Sequence, residues 1–221
     1  MSDSPWSQPG TVEGFVRSPP NETLLQLADR ERHAGARLLD IGCGAARNAL
    51  PLAEAGWNVV GTDFSLPMLT AAAARVSDAG LTTRVHLLRA SMDDLPFAPA
   101  SFDFIVAHGI WNLARSGAEF RQAIREAAHV ARPGGALFVF TFSRNTLADA
   151  AQPVPGESFV FTQFSGQPQC FLMESQLVSE LATHGFESDP SFQLREHNRP
   201  RPGALRTGSG PVIYEGLFRR R

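Results

Sequence analysis

The run LLDIGCGAARN at residues 38–48 constrains this chain more than any other stretch. It reads as an apolar strand ending in Asp40 and Ile41, a Gly-Cys-Gly turn, and a helix that starts near Ala45. Glycine at Gly42 and Gly44 lets backbone come close to a ligand where a Cβ would collide. A second strand then leads into Asp63-Phe64-Ser65. Asp63 stands about twenty residues beyond the turn, the spacing at which a carboxylate on the next strand tip accepts from ribose hydroxyls. A dinucleotide site would place a third glycine where Arg47 stands, and arginine is too bulky for that close helix approach.

The same run resembles motif I of the class I S-adenosylmethionine-dependent methyltransferases, in which an acidic residue at the end of the first strand precedes x-G-x-G. The resemblance continues in Asp63-Phe64-Ser65 with Met68-Leu69, and in Asp94-Leu95-Pro96-Phe97. It extends through SFDFIV at residues 101–106 and RPGGALFV at residues 132–139. It implies a Rossmann-like three-layer α/β sandwich with a seven-stranded, mostly parallel sheet in the order 3-2-1-4-5-7-6, the last strand antiparallel. It also implies S-adenosyl-L-methionine as cofactor and S-adenosyl-L-homocysteine as product. The Gly-Cys-Gly, Arg-Asn and Asp-Phe-Ser arrangement is similar to thiopurine- and tellurite-type bacterial methyltransferases, which keeps sulfur and metalloid acceptors among the candidates.

At 221 residues and 43% hydrophobic, the chain suffices for one α/β domain over residues 1–221 with a substantial core. A formal charge of −2 gives no global pull toward nucleic acid or a membrane, so neither is expected as a partner. All 20 basic residues are arginine, which excludes Schiff-base chemistry on lysine. Cys43 and Cys170 cannot make a disulfide framework, and the 6 histidines show no paired metal spacing, so no metal is expected. Without a basic, apolar leader or an apolar run approaching about eighteen residues, the expectation is a cytoplasmic monomer or homodimer.

Strands are expected at residues 36–41, 58–62, 83–89, 102–107 and 136–141, and helices at 47–55, 67–77 and 118–130. This alternation predicts a parallel sheet with helices on both faces and ligands at the strands' carboxyl ends. Asn21 is a good cap for an amphipathic helix through Leu24, Leu27 and Ala28. Residues 1–20, with Trp6 and Phe15, read as a loop able to serve as a lid, and residues 144–170 as an irregular, aromatic-rich insertion near the acceptor. A further helix is expected at 173–184, then strands at 186–196 and 211–218.

Site expectations follow from these placements. Asp63 takes the ribose hydroxyls, while Asp40 orders the turn, with Gly42, Cys43 and Gly44 forming the cradle. Arg47 and Asn48 are placed to reach the methionine carboxylate. Phe64 lies against adenine, with Ser65, Met68, Ser91 and Met92 completing the pocket; Ser91 replaces the acidic residue common in the family. Asp93 and Asp94 read as a solvated helix start. Ala107 and His108 end the fourth strand, where the resemblance puts the donor's sulfonium and the acceptor, and His108 is the candidate general base, a role that needs a near-neutral pKa. Trp111, Asn112, Phe159 and Phe161 are the candidate substrate residues. Arg195, Arg199, Arg201, Arg206 and the Arg219–Arg221 tail are read as solvated.

Displacement of a donor that carries its own leaving group asks mainly for alignment and exclusion of water. The expected activity is therefore methyl transfer to a small organic acceptor. The alternatives are a protein that binds the cofactor without chemistry, and a nicotinamide-dependent oxidoreductase.

Overall fold

The computed structural model describes residues 5–199 and 210–221. Along the chain run α1 (Pro9–Arg17), α2 (Glu22–Glu31), β1 (Arg37–Ile41), α3 (Ala49–Glu54), β2 (Asn58–Asp63), α4 (Leu66–Asp78), β3 (Val85–Arg89), β4 (Phe102–His108), α5 (Gly117–Val130) and β5 (Ala131–Phe142). There follow β6 (Val160–Phe161), β7 (Gln169–Cys170), α6 (Glu174–Thr183), β8 (Phe186–Ser188), β9 (Arg195–His197) and β10 (Ile213–Arg220). The first five strands pair in parallel, and β10 inserts antiparallel between β5 and β8, giving β3-β2-β1-β4-β5-β10-β8. This is the seven-strand order expected above. β9 is an addition, paired antiparallel with β10.

Alternation along the strands divides the core into two layers. Leu39, Ile41, Ile105, Ala107, Leu137 and Val139 pack with Phe120 and Ile124 of α5 and Leu177 of α6. Leu38, Val59, Phe104, Val106 and Phe138 pack with Leu24 of α2, Leu52 of α3 and Val76 of α4. Each large side chain so buried contributes about 2–3 kcal/mol. With both faces covered, the carboxyl ends of the parallel strands are left for ligands. Among the described residues, no helix is long and apolar enough to cross a membrane.

The departures from expectation have local causes. Residues 9–17 form a helix rather than a loop, with Pro9 in its first turn, where the missing N–H costs nothing. α3 begins at Ala49 because Ala46 is left-handed at φ 60° and extends the turn. The strand expected over 186–196 breaks in two: Asp189 Oδ1 accepts from Ser191 N at 2.7 Å, closing a turn around Pro190. β5 starts early, at Ala131, and a register irregularity between Phe102 and Phe104 takes up the Pro-Gly-Gly segment. Arg201 and Arg206 lie outside the described residues, and Arg219 is no solvated tail residue.

Arg219 of β10 donates through Nη1 to Glu31 Oε2 of α2 at 2.7 Å and through Nε to Asp189. It thereby fastens the antiparallel edge to a helix and neutralises Asp189, which is buried. Arg219→Met should lower the unfolding free energy by about 2–4 kcal/mol, the cost of stranding a buried carboxylate. Glu31→Gln should cost under about 1 kcal/mol, because Glu31 stays partly solvated. Urea titrations measure both, and equal small losses would refute this account.

Candidate functional site

The turn after β1 alternates: Gly42, Gly44 and Ala46 are all left-handed, at φ 70°, 54° and 60°. A Cβ on Gly42 would lie 2.6 Å from Ile110 Cδ1, so conformation and space both require glycine there, while one on Gly44 would lie 3.0 Å from Phe15 Cδ1, where the left-handed backbone is the main demand for glycine. Ala46 bears the same conformation with a Cβ, at a cost of about 1 kcal/mol. Such strain persists where neighbours over-determine the backbone. Here Ala46 N donates to Cys43 O at 3.0 Å and Cys43 N to Thr62 O at 2.8 Å, while Arg75 of α4 donates to Ala45 O.

Asp63 fastens this turn. Its Oδ2 accepts from Gly44 N at 2.9 Å and its Oδ1 from Ser65 N at 2.8 Å. Burial pushes its carboxyl above the usual range, and these amides pull it back. The expectation that Asp40 orders the turn is corrected: that bond belongs to Asp63.

Asp40 is instead a buried acid with an unpartnered oxygen. It is 1% exposed, and its Oδ2 has no hydrogen-bond partner among the described residues. Burial pushes its pKa up to about 7, with Arg47 opposing the shift and Asp63 adding to it. A buried carboxylate in this state calls for a cation or a set of donors.

Arg47 and Asn48 part company. Asn48 is buried, and its Oδ1 accepts from Asn21 N at 3.0 Å, which anchors the start of α2. Arg47 turns inward, with Nη2 3.1 Å from His108 Nδ1. On the other side of the imidazole, Asn21 Nδ2 lies 3.2 Å from Nε2, and the ring stacks on Phe140 at 4.2 Å. Burial first, then Arg47, push the His108 pKa down to about 3. The near-neutral pKa expected of a general base is therefore absent, and His108 is uncharged at neutral pH.

The other expected residues divide between site and core. Phe64 is 67% exposed, with the Arg89 guanidinium 5.0 Å from its ring centroid. Ser65 caps α4, and its hydroxyl meets Ser7 Oγ and Trp6 O at 3.2 Å, so the N-terminal segment rests on this strand tip. Met68 is buried in α4, Cys43 is buried in the turn, and Ala107 is buried between Ile41 and Val139. Met92 is half-buried against the core. Ser91 donates to Asp93 and pairs with Asp94, making a bridged turn rather than a helix start. Trp111 and Asn112 are buried, and Trp111 Nε1 and Asn112 Oδ1 lack hydrogen-bond partners among the described residues. Phe159 packs on Phe120 at 5.3 Å and Phe161 on Phe171 at 6.2 Å, both away from solvent. Phe159 and Phe161 thus serve two packed clusters, since burying such rings outweighs holding them open to a site.

Sequence reasoning missed two residues here. The sequence marks Asn21 only as a helix cap, which it is, since its Oδ1 accepts from Leu24 N at 2.8 Å. Glu215 sits buried within β10 and accepts from Asn21 Nδ2 at 2.6 Å. The available signal was an acid inside an otherwise apolar strand.

Because the native state binds Asp40's proton up to about pH 7 while the unfolded chain releases it near 3.8, stability of the ligand-free protein falls as pH rises through that window. Asp40→Asn should therefore melt several degrees above the parent at about pH 8, and level with it near pH 4. Thermal unfolding at both values checks this; a difference independent of pH would contradict it.

Residues 39–139 match the methyltransferase domain family. Among curated proteins the chain is similar to methyltransferase GfsG of Streptomyces halstedii, 36% identical over 151 residues, covering 67% of this chain and 53% of that one. It is also similar to demethylmenaquinone methyltransferase of Renibacterium salmoninarum, 35% identical over 113 residues, covering 51% and 44%. The chain spans about half the length of these relatives. Among solved structures, an S-adenosylmethionine-dependent methyltransferase of Mesorhizobium loti superposes with TM-score 0.69 at 19% identity, covering 95% of this chain and 100% of that one. The [4+2]-cyclase SpnF superposes with TM-score 0.67 at 23% identity, covering 90% and 80%. Such identities carry the fold alone, and the cyclase shows that one fold hosts more than one reaction.

Proposed function

We propose that this chain, whose residues 39–139 match the methyltransferase domain family, is a class I S-adenosylmethionine-dependent methyltransferase that passes the donor's methyl group to a small organic acceptor by in-line displacement. The observation that carries the reading is Asp40, a buried carboxylate with an unpartnered oxygen beside a glycine turn. S-adenosylmethionine fits such a site chemically: it is cationic at sulfur and at its amino group, and its nucleoside suits the close backbone of Gly42 and Gly44. Asp63 would hold the ribose, Asp40 the ammonium end, and Phe64 a face of the adenine. When bound, the donor supplies an activated methyl with a built-in leaving group.

The chain's own residues then bind, align and exclude water. Phe15 lies over Gly44 and Ile110 over Gly42, an apolar cover on the cradle. Phe15 belongs to α1, and the preceding segment is tied to Ser65, so residues 5–17 act as the lid. Deleting residues 1–16 should weaken S-adenosylhomocysteine binding and slow turnover; unchanged affinity together with unchanged turnover would refute the lid.

The reaction is tested with methyl-labelled S-adenosylmethionine and a panel holding a demethylmenaquinone analogue, phenols, amines, thiols and tellurite. Label should appear in an organic product alongside equimolar S-adenosylhomocysteine. Transfer to thiols or tellurite instead would favour the sulfur and metalloid reading, and tight donor binding with no transfer at all would favour a non-catalytic binder.

A further inference from the structure

His108, Phe140 and Glu215 stand in one row across β4, β5 and β10. Asn21 bridges the two ends of that row. Its Oδ1 is committed to the α2 cap through Leu24 N, so its amide nitrogen must be the atom that meets Glu215 Oε1 at 2.6 Å and His108 Nε2 at 3.2 Å. An amide nitrogen has two protons to give. One goes to the buried carboxylate and the other to Nε2, which must therefore be the bare, accepting nitrogen of a neutral imidazole. The imidazole proton is then on Nδ1.

Nδ1 lies 3.1 Å from Nη2 of Arg47, and a guanidinium has no lone pair to offer. Two N–H groups thus face each other, and besides the His108 backbone carbonyl no acceptor among the described residues serves the ring there. The same arginine exerts an electrostatic pull on Asp40, whose Oδ2 lacks a partner among the described residues. Together these groups match a zwitterion: a carboxylate oxygen for the two facing donors and an ammonium for the orphaned acid. Glu215 is the residue on which this arrangement turns, and its second oxygen is 3.2 Å from His197 Nε2 of β9.

We propose that Glu215 and Asn21 are positioning residues that hold the His108 proton on Nδ1, and that this N–H joins Arg47 Nη2 in taking the carboxylate of S-adenosylmethionine. His108 is then a hydrogen-bond donor to the cofactor rather than a base toward the acceptor. The carboxylate role rests on the cofactor reading given above; the proton placement does not.

Nitrogen-15 NMR of the ligand-free full chain reads the proton directly, and the expected result is a His108 protonated on Nδ1 with a bare Nε2. Asn21→Ser keeps a good helix cap but removes both amide protons, and should give a mixed or reversed tautomer. In calorimetry the same variant should bind S-adenosylhomocysteine roughly ten- to a hundredfold more weakly, the scale of a lost hydrogen bond to a charged group. Its affinity for 5′-methylthioadenosine, which lacks the amino-acid end, should match the parent's. His108→Gln, which still offers an N–H, should retain more S-adenosylhomocysteine affinity than His108→Leu. A parent His108 protonated on Nε2 overturns the positioning role. Equal weakening toward both nucleosides overturns the carboxylate role, and failure of both to bind the parent protein overturns the cofactor reading and the carboxylate role with it.

Discussion

The carboxylate of Asp63 is spent on backbone. By accepting from Gly44 N and Ser65 N it couples the tip of β2 to the turn after β1, and it holds in place a segment that is left-handed at every second residue from Gly42 to Ala46. At Gly42 the left-handed backbone and a crowded face both exclude a side chain, and at Gly44 the left-handed backbone is the main demand for glycine. Asp40, one strand away, is the complement: buried, held up to about 7, and with an oxygen left over. One acid builds the cradle and the other waits in it, which is why the two are not interchangeable despite their similar places on neighbouring strand tips.

Much of this architecture is visible in the linear order of residues because it depends on short-range rules. A β-strand buried on both faces must be apolar throughout, so Leu38, Leu39 and Ile41, and likewise Phe104 to Ala107, declare themselves as parallel strands. The glycine turn declares itself because backbone conformation is local. What stayed hidden depends on distant partners. Asn21 and Glu215 are 194 positions apart, and only the insertion of β10 beside β5 brings Glu215 within reach of the α2 cap. The pKa of His108 was likewise unreadable, since it follows from burial and from an arginine 61 positions away.

The aromatic insertion shows the opposite error. Phenylalanines among prolines and glycines suggest an acceptor wall, yet Phe159 and Phe161 close onto Phe120 and Phe171 as core. Aromatic content alone does not say which side of a loop is wet. The N-terminal segment reads as a loop from its prolines and glycine, yet Pro9 opens α1 rather than preventing it.

A crystal structure of the full chain grown with S-adenosylhomocysteine is the most direct measurement. The account predicts the ribose on Asp63, the amino-acid end between Asp40 and the Arg47–His108 pair, and the Phe15 and Ile110 side chains shifted off the glycines. The nucleoside bound away from the β1 and β2 tips, or an unchanged empty turn at saturating ligand, would contradict it.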